Sequence, residues 1–188
     1  MTSNRPFPAD VEYSESGAGP ALLLLPGSFG TGAGWKAVTD RLTGKCRVVT
    51  TSLLGYGSTA ERRPRGNATM RQQTEIIDRI LERIGAPAHV VGHSFGGMAA
   101  LVHAIEGAIK PASLVLVEAN PFGLLKTSGE LGLYAMPGRM TQDFFAAFDA
   151  GDVDAARHVI DFYGGNGTFD AFPARVRDYV VRTTPANV

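Results

Sequence analysis

Apolar positions along this chain follow two regimes. Up to about residue 120, short continuous apolar runs alternate with amphipathic stretches. Ala21-Leu22-Leu23-Leu24-Leu25, Arg47-Val48-Val49-Thr50, His89-Val90-Val91 and Leu114-Val115-Leu116-Val117 each run into a turn rich in glycine or polar residues. Runs of that length, bounded by turn residues, predict strands of a parallel sheet, buried on both faces. Between them, Ile76, Ile77, Ile80, Leu81 and Ile84 form one stripe, with Glu75, Asp78, Arg79, Glu82 and Arg83 opposite and Gly85 as a stop. That is an amphipathic helix with a left-handed glycine cap. Gly97–Ile105 is small and apolar all round, as suits a helix lying close on a sheet. Strands alternating with helices give βαβ units with right-handed crossovers. The expected fold class is α/β, a mostly parallel sheet with helices on both faces.

After Pro121 the alternation ends. Residues 139–150 and 152–163 have helical patterns, with Asp152 as N-cap of the second and Gly164-Gly165 as its stop, and Phe172–Val181 is another helix candidate. No further strand signal follows. Two parts are therefore expected: an α/β core over 1–120 and a helical lid or cap over 121–188.

Charge and composition narrow the function classes. Lys and Arg number 18 against 18 Asp and Glu, which argues against a nucleic-acid or anionic-membrane partner. The longest apolar run, Ala21–Leu25, is far too short to span a bilayer. The N-terminus lacks a basic start, apolar run and cleavage site, so no signal peptide is expected. A single thiol, Cys46, excludes an internal disulfide framework and fits a reducing cytoplasm. One Cys and four scattered His have no ligand spacing, so neither a metal nor another cofactor is expected.

Gly92-His93-Ser94-Phe95-Gly96 is the motif that carries chemistry. A G-x-S-x-G alone is a weak signal. Here it follows a predicted strand and opens a predicted helix, the context a nucleophile elbow needs. A side chain presented on so sharp a turn leaves room only for small residues two positions either side. The helix amides beyond it face the negative charge that develops during acyl transfer. An ordinary βα turn with a helix-capping serine is the plainer alternative.

With Trp35 after the Gly-rich turn, Leu54-Gly55-Tyr56-Gly57-Ser58 after the next strand, and the elbow, the chain resembles the α/β-hydrolase fold family over nearly its whole length. The resemblance implies a hydrolase with Ser94 as nucleophile and the backbone N–H of Phe95 as half of an oxyanion hole. The other half would come from the turn after Leu25, where the family usually has His-Gly and this chain has Pro26-Gly27, which makes the Ser28 amide the candidate donor. Glu118, directly after the strand Leu114–Val117, is the candidate acid. A serine rather than an aspartate at the elbow speaks against dehalogenase and epoxide hydrolase chemistry. The expected substrate is a small molecule, an ester, lactone or similar acyl compound. Phe122, Leu124, Leu131, Leu133, Tyr134, Met136, Met140, Phe144 and Phe145 would provide an apolar lid over it or pack on the core.

The general base is harder to place. His89 and His103 fall inside a strand and a helix, His93 adjoins the nucleophile, and His158 lies mid-helix in the second part. In the resembled family this histidine follows the last strand, about 70–90 residues further on by ordinary α/β unit sizes. A C-terminally truncated hydrolase is expected, with a non-catalytic ligand-binding or decayed scaffold as the alternative. Gly32-Ala33-Gly34-Trp35-Lys36-Ala37 also fits G-x-G-x-x-A, but the next strand ends in Thr50-Thr51-Ser52 without the carboxylate a dinucleotide ribose needs. Lys36 follows Trp35, not Gly, which excludes a phosphate-binding P-loop.

Overall fold

The structure is a computed structural model that describes residues 6–64 and 69–188. The chain divides into two compact units, Met1–Asn120 and Pro121–Val188. The first is built on a five-stranded sheet comprising β1 (Ser14–Ser16), β2 (Ala21–Leu25), β3 (Arg47–Thr50), β4 (Ala88–His93) and β5 (Ser113–Val117). The spatial order is β1-β3-β2-β4-β5. All neighbours run parallel except β1, which lies antiparallel to β3. The four strands expected from apolar runs are present. β1 is an addition: Ser14-Glu15-Ser16 has no apolar pattern and is a strand only because β3 offers it a ladder.

β2 and β4 form the centre, with Ala21 opposite Ala88 and Leu25 opposite Gly92. Leu23, Leu24, Leu25 and Val90 are buried almost completely, as strands covered on both faces must be. β5 is different: Val115, Leu116 and Val117 are exposed, and among the described residues it forms one edge of the sheet.

The helices of this unit are α1 (Lys36–Leu42), α2 (Met70–Ile84) and α3 (Phe95–Glu106). The Thr69 N–H donates to Gln72 Oε1 at 2.9 Å, tying down the entry to α2. Ile76, Ile77, Ile80, Leu81 and Ile84 are its buried face, and Gly85 ends it at φ 66°, where glycine carries no steric cost. α3 buries Gly96, Gly97, Ala99 and Ala100, small residues that let it approach the strands. A polar tie joins the two helices. Buried His103 on α3 holds its Nε2 2.8 Å from Asp78 Oδ1 on α2, and the same carboxylate accepts the N–H groups of Ala108 and Ile109. The G-x-G-x-x-A stretch forms a short 3-10 helix (Gly32–Trp35) running into α1, not a phosphate turn at a strand end.

The second unit is helical throughout: α4 (Gly123–Thr127), α5 (Leu131–Asp149), α6 (Arg157–Gly164), α7 (Thr168–Ala171) and α8 (Ala174–Thr183). Two expectations are corrected here. The helix expected from residue 139 begins at Leu131 and runs through Pro137. The helix expected from Asp152 starts at Arg157, because the Asp152 carboxylate accepts the Asp154 N–H and closes a local turn instead of capping a helix. Phe144 and Phe169 are buried within this unit, while Leu124, Leu131, Leu133, Tyr134 and Met136 are exposed. Among the described residues no helix is long and apolar enough to cross a membrane.

Candidate active site

Ser94 stands between β4 and α3 with φ 50° and ψ −118°. A residue with a β-carbon avoids that region, and holding it there costs about 1–3 kcal/mol. The surroundings make the turn unavoidable. Its N–H donates to Val117 O at 2.8 Å and its carbonyl accepts the Met98 N–H at 3.0 Å, so the residue is anchored on β5 and on α3. A β-carbon at Gly92 would overlap the Gly96 carbonyl, and one at Gly96 would overlap the carbonyls of Pro26 and Leu25. Both glycines of the motif are thus required by close backbone approach.

The turn after β2 lies against this elbow. A β-carbon at Gly27 would sit 3.1 Å from Ser94 Cβ and 2.9 Å from His93 Nδ1. Gly30 donates to the Gly27 carbonyl at 3.0 Å, and Phe29 between them takes φ 62°. Among the described residues neither the Ser28 N–H nor the Phe95 N–H donates a hydrogen bond to the protein. Ser94, Phe95 and the turn bearing Ser28 are therefore brought together, and the Ser28 and Phe95 amides are uncommitted. The Phe95 amide belongs to the first turn of a helix, where donors lack intrahelical acceptors.

Glu118 is also left-handed, at φ 53°, directly after β5. Its carboxylate is 80% exposed and lies 3.3 Å from His93 Nε2. His93 thus stands between the turn after β2 and the end of β5, next to the serine. The other histidines are engaged elsewhere: His89 Nδ1 meets Ser113 Oγ at 2.8 Å, and His103 is on Asp78. Among the described residues no imidazole is hydrogen-bonded to Ser94 Oγ. His158 is exposed in the second unit, lining a cavity of about 390 Å3 together with Arg139, Asp143, Arg157, Asp161 and Met136. Of the apolar residues expected over a substrate, only Met140 and Phe144 are buried. No cluster that could hold a metal ion occurs among the described residues.

The family model described as the alpha/beta hydrolase family matches residues 22–187. The chain belongs to that family. Among solved structures, this alpha/beta hydrolase chain superposes on an alpha/beta hydrolase from Sphaerobacter thermophilus with a TM-score of 0.72 at 19% identity, covering 92% of this chain and 65% of that one. In sequence it is 34% identical over 112 residues to a pimeloyl-[acyl-carrier protein] methyl ester esterase of Vibrio vulnificus, covering 60% of this chain and 42% of the esterase. It is 31% identical over 121 residues to a dihydrolipoyllysine-residue acetyltransferase component of the acetoin cleaving system of Cupriavidus necator, covering 63% of this chain and 32% of that protein. The matched region spans less than half the length of these curated relatives.

Sequence reasoning missed one residue beside this site. Glu12 precedes β1, and its carboxylate reaches both Gly32 and Ser58. A lone glutamate before an unrecognised strand carries no motif, so nothing in the sequence marks it.

Proposed function

We propose that this chain carries the nucleophile and oxyanion side of a serine hydrolase acting on an ester, lactone or similar small acyl compound. The observation that carries this is the strained Ser94 packed against the turn that bears Ser28, with the Ser28 and Phe95 amides uncommitted. Strain is retained where the surrounding structure imposes it, and such positions concentrate at working sites. In the proposed reaction Ser94 Oγ attacks the substrate carbonyl carbon and its proton passes to a base. The carbonyl oxygen becomes an oxyanion between the Ser28 and Phe95 N–H groups, the alcohol leaves with a proton, and an acyl-enzyme remains. Water then attacks the acyl carbon, releases the acid and restores the serine hydroxyl. The methyl ester esterase named above supports a small alcohol as leaving group.

A serine is a weak nucleophile without a base. The proposed base is a histidine, with the exposed Glu118 carboxylate as the proposed acid that orients it. The alternative is a scaffold that holds a ligand without turnover.

A covalent experiment separates the two. The protein is incubated with an alkyl fluorophosphonate, with imidazole added as a diffusible base, and the modified peptide is mapped. The expected product is phosphonylated Ser94, with no adduct at that peptide in S94A. A folded protein that acquires no adduct at Ser94 leaves the ligand-holding scaffold as the function.

A further inference from the structure

The turn that bears Ser28 is not held by the sheet alone. Glu12 Oε1 accepts the Gly32 N–H at 3.0 Å, and Oε2 accepts the Ser58 N–H at 3.1 Å and the Ser58 hydroxyl at 3.2 Å. One carboxylate therefore spans the turn after β2 and the turn after β3. Its backbone is pinned as well. The Glu12 N–H donates to Thr59 Oγ1 at 3.0 Å, and Thr51 Oγ1 donates to the Glu12 carbonyl at 2.6 Å. Ser52 Oγ shares the Gly32 N–H at 3.1 Å. Both turns leave room for the carboxylate by lacking side chains. A β-carbon at Gly32 would lie 2.5 Å from Glu12 Oε1, and one at Gly57 would overlap Oε2.

The two turns also meet through their aromatic residues. Phe29 packs edge-on against buried Tyr56, with centroids 5.8 Å apart. Phe29 directly follows Ser28 and is itself held at φ 62°. Left to itself, a non-glycine residue relaxes out of that region. Three residues separate Ser28 from the Gly32 anchor, so releasing the anchor lets the whole turn, and its amide, drift from Ser94. Among the described residues Glu12 has no cationic partner. Its donors are two backbone amides and a hydroxyl, an arrangement that specifies loop position. Removing the carboxylate leaves the Ser58 N–H and hydroxyl without this acceptor and the Gly32 N–H with Ser52 Oγ alone.

We propose that Glu12 is a positioning residue for the oxyanion side of the site, fixing the turn that carries the Ser28 amide. The proposal rests on the serine-hydrolase function proposed above. Glu12→Gln is the informative change, because its amide nitrogen cannot accept and one of the two turns must let go. Three proteins are compared, wild type, E12Q and D78N, the last weakening the α2–α3 tie, which involves neither turn. Thermal midpoint, amide hydrogen exchange and the fluorophosphonate reaction at Ser94 are read for each.

The expected result is a limiting phosphonylation rate at least about tenfold lower in E12Q with the probe's half-saturating concentration unchanged, as displaced catalytic donors require. Exchange at Gly30, Gly32 and Ser58 rises, while β4 and α2 keep their protection. D78N loses thermal stability but reacts at the wild-type rate. Equal rates in E12Q and wild type overturn the positioning role, and so does a rate loss in D78N matching that of E12Q. An E12Q protein that does not fold assigns Glu12 to stability and overturns it likewise. If the wild type acquires no adduct, the hydrolase function fails, and exchange at the Gly30 and Gly32 amides alone decides whether Glu12 holds the turn.

Discussion

The two units keep their apolar residues in opposite ways. In the first, the strand β2 buries Leu23, Leu24 and Leu25 almost without remainder, and the glycines around Ser94 are packed against backbone. In the second, α5 buries only Met140 and Phe144 while Leu131, Leu133, Tyr134 and Met136 stay open to solvent. Ser94 sits where the neighbouring glycines leave no slack, which is what holding a non-glycine residue at positive φ demands. A loosely packed helical unit could not enforce such conformations. It can present apolar surface to another molecule at little cost to itself.

That contrast is open to test, beginning with the largest expected effect. Leu24→Ala removes a side chain 1% exposed and should lower unfolding free energy by about 3 kcal/mol, whereas Leu131→Ala, at 61% exposure, should cost about 0.5 kcal/mol or less. Denaturant titrations of the two variants measure this directly, and equal losses would erase the distinction between the units. Gly96→Ala forces a β-carbon against the Pro26 and Leu25 carbonyls, and about 2 kcal/mol of destabilisation is expected. Hydrogen exchange should report that loss at β2, β4 and α3 and not at α6–α8; uniform loosening would mean that the units unfold as one.

The smallest effect belongs to the second unit. Asp161 accepts the N–H groups of Phe169 at 2.8 Å and Gly167 at 3.1 Å. The Phe169 amide first, then that of Gly167, holds its carboxyl below the usual 3.8, against an opposing contribution from desolvation. A depressed folded-state pKa gives stability that is present above the unfolded value and is lost as pH falls through the folded one. As pH falls below about 4, the protection of the Gly167 and Phe169 amides against exchange should therefore drop, and Asp161→Asn should show that loosening already at neutral pH. Protection there that does not change with pH would remove the carboxylate from the account.

Much of this was legible in the chain. Leu22–Leu25 and Val48–Val49 are apolar runs that a sheet interior accommodates, Leu114–Val117 is a strand although it lies exposed at the edge, and Gly85 marks the end of α2 because a left-handed cap favours glycine. The elbow was legible for the same reason, since Gly92 and Gly96 meet backbone and admit no larger residue. β1 was not, because Ser14-Glu15-Ser16 owes its strand to tertiary pairing and not to pattern. α5 hid its first turns behind Gly132 and Pro137, residues that locally disfavour a helix. Glu12 was illegible because its partners are Gly32 and Ser58, contacts between turns that no periodicity encodes.

The pairing of Ala21 with Ala88, and of Gly92 with Leu116, has a kinetic consequence. Parallel neighbours cannot be joined by a tight hairpin, so β4 enters the sheet only after long stretches of chain have been closed into loops, a slow kind of folding step. The elbow comes into being at that insertion and not before. Until then the Leu22–Leu25 run and its future partner Val90-Val91 are both uncovered, and encounters between chains compete with the correct docking. Refolding yield should accordingly fall with protein concentration, even under conditions where the finished molecule is comfortably stable.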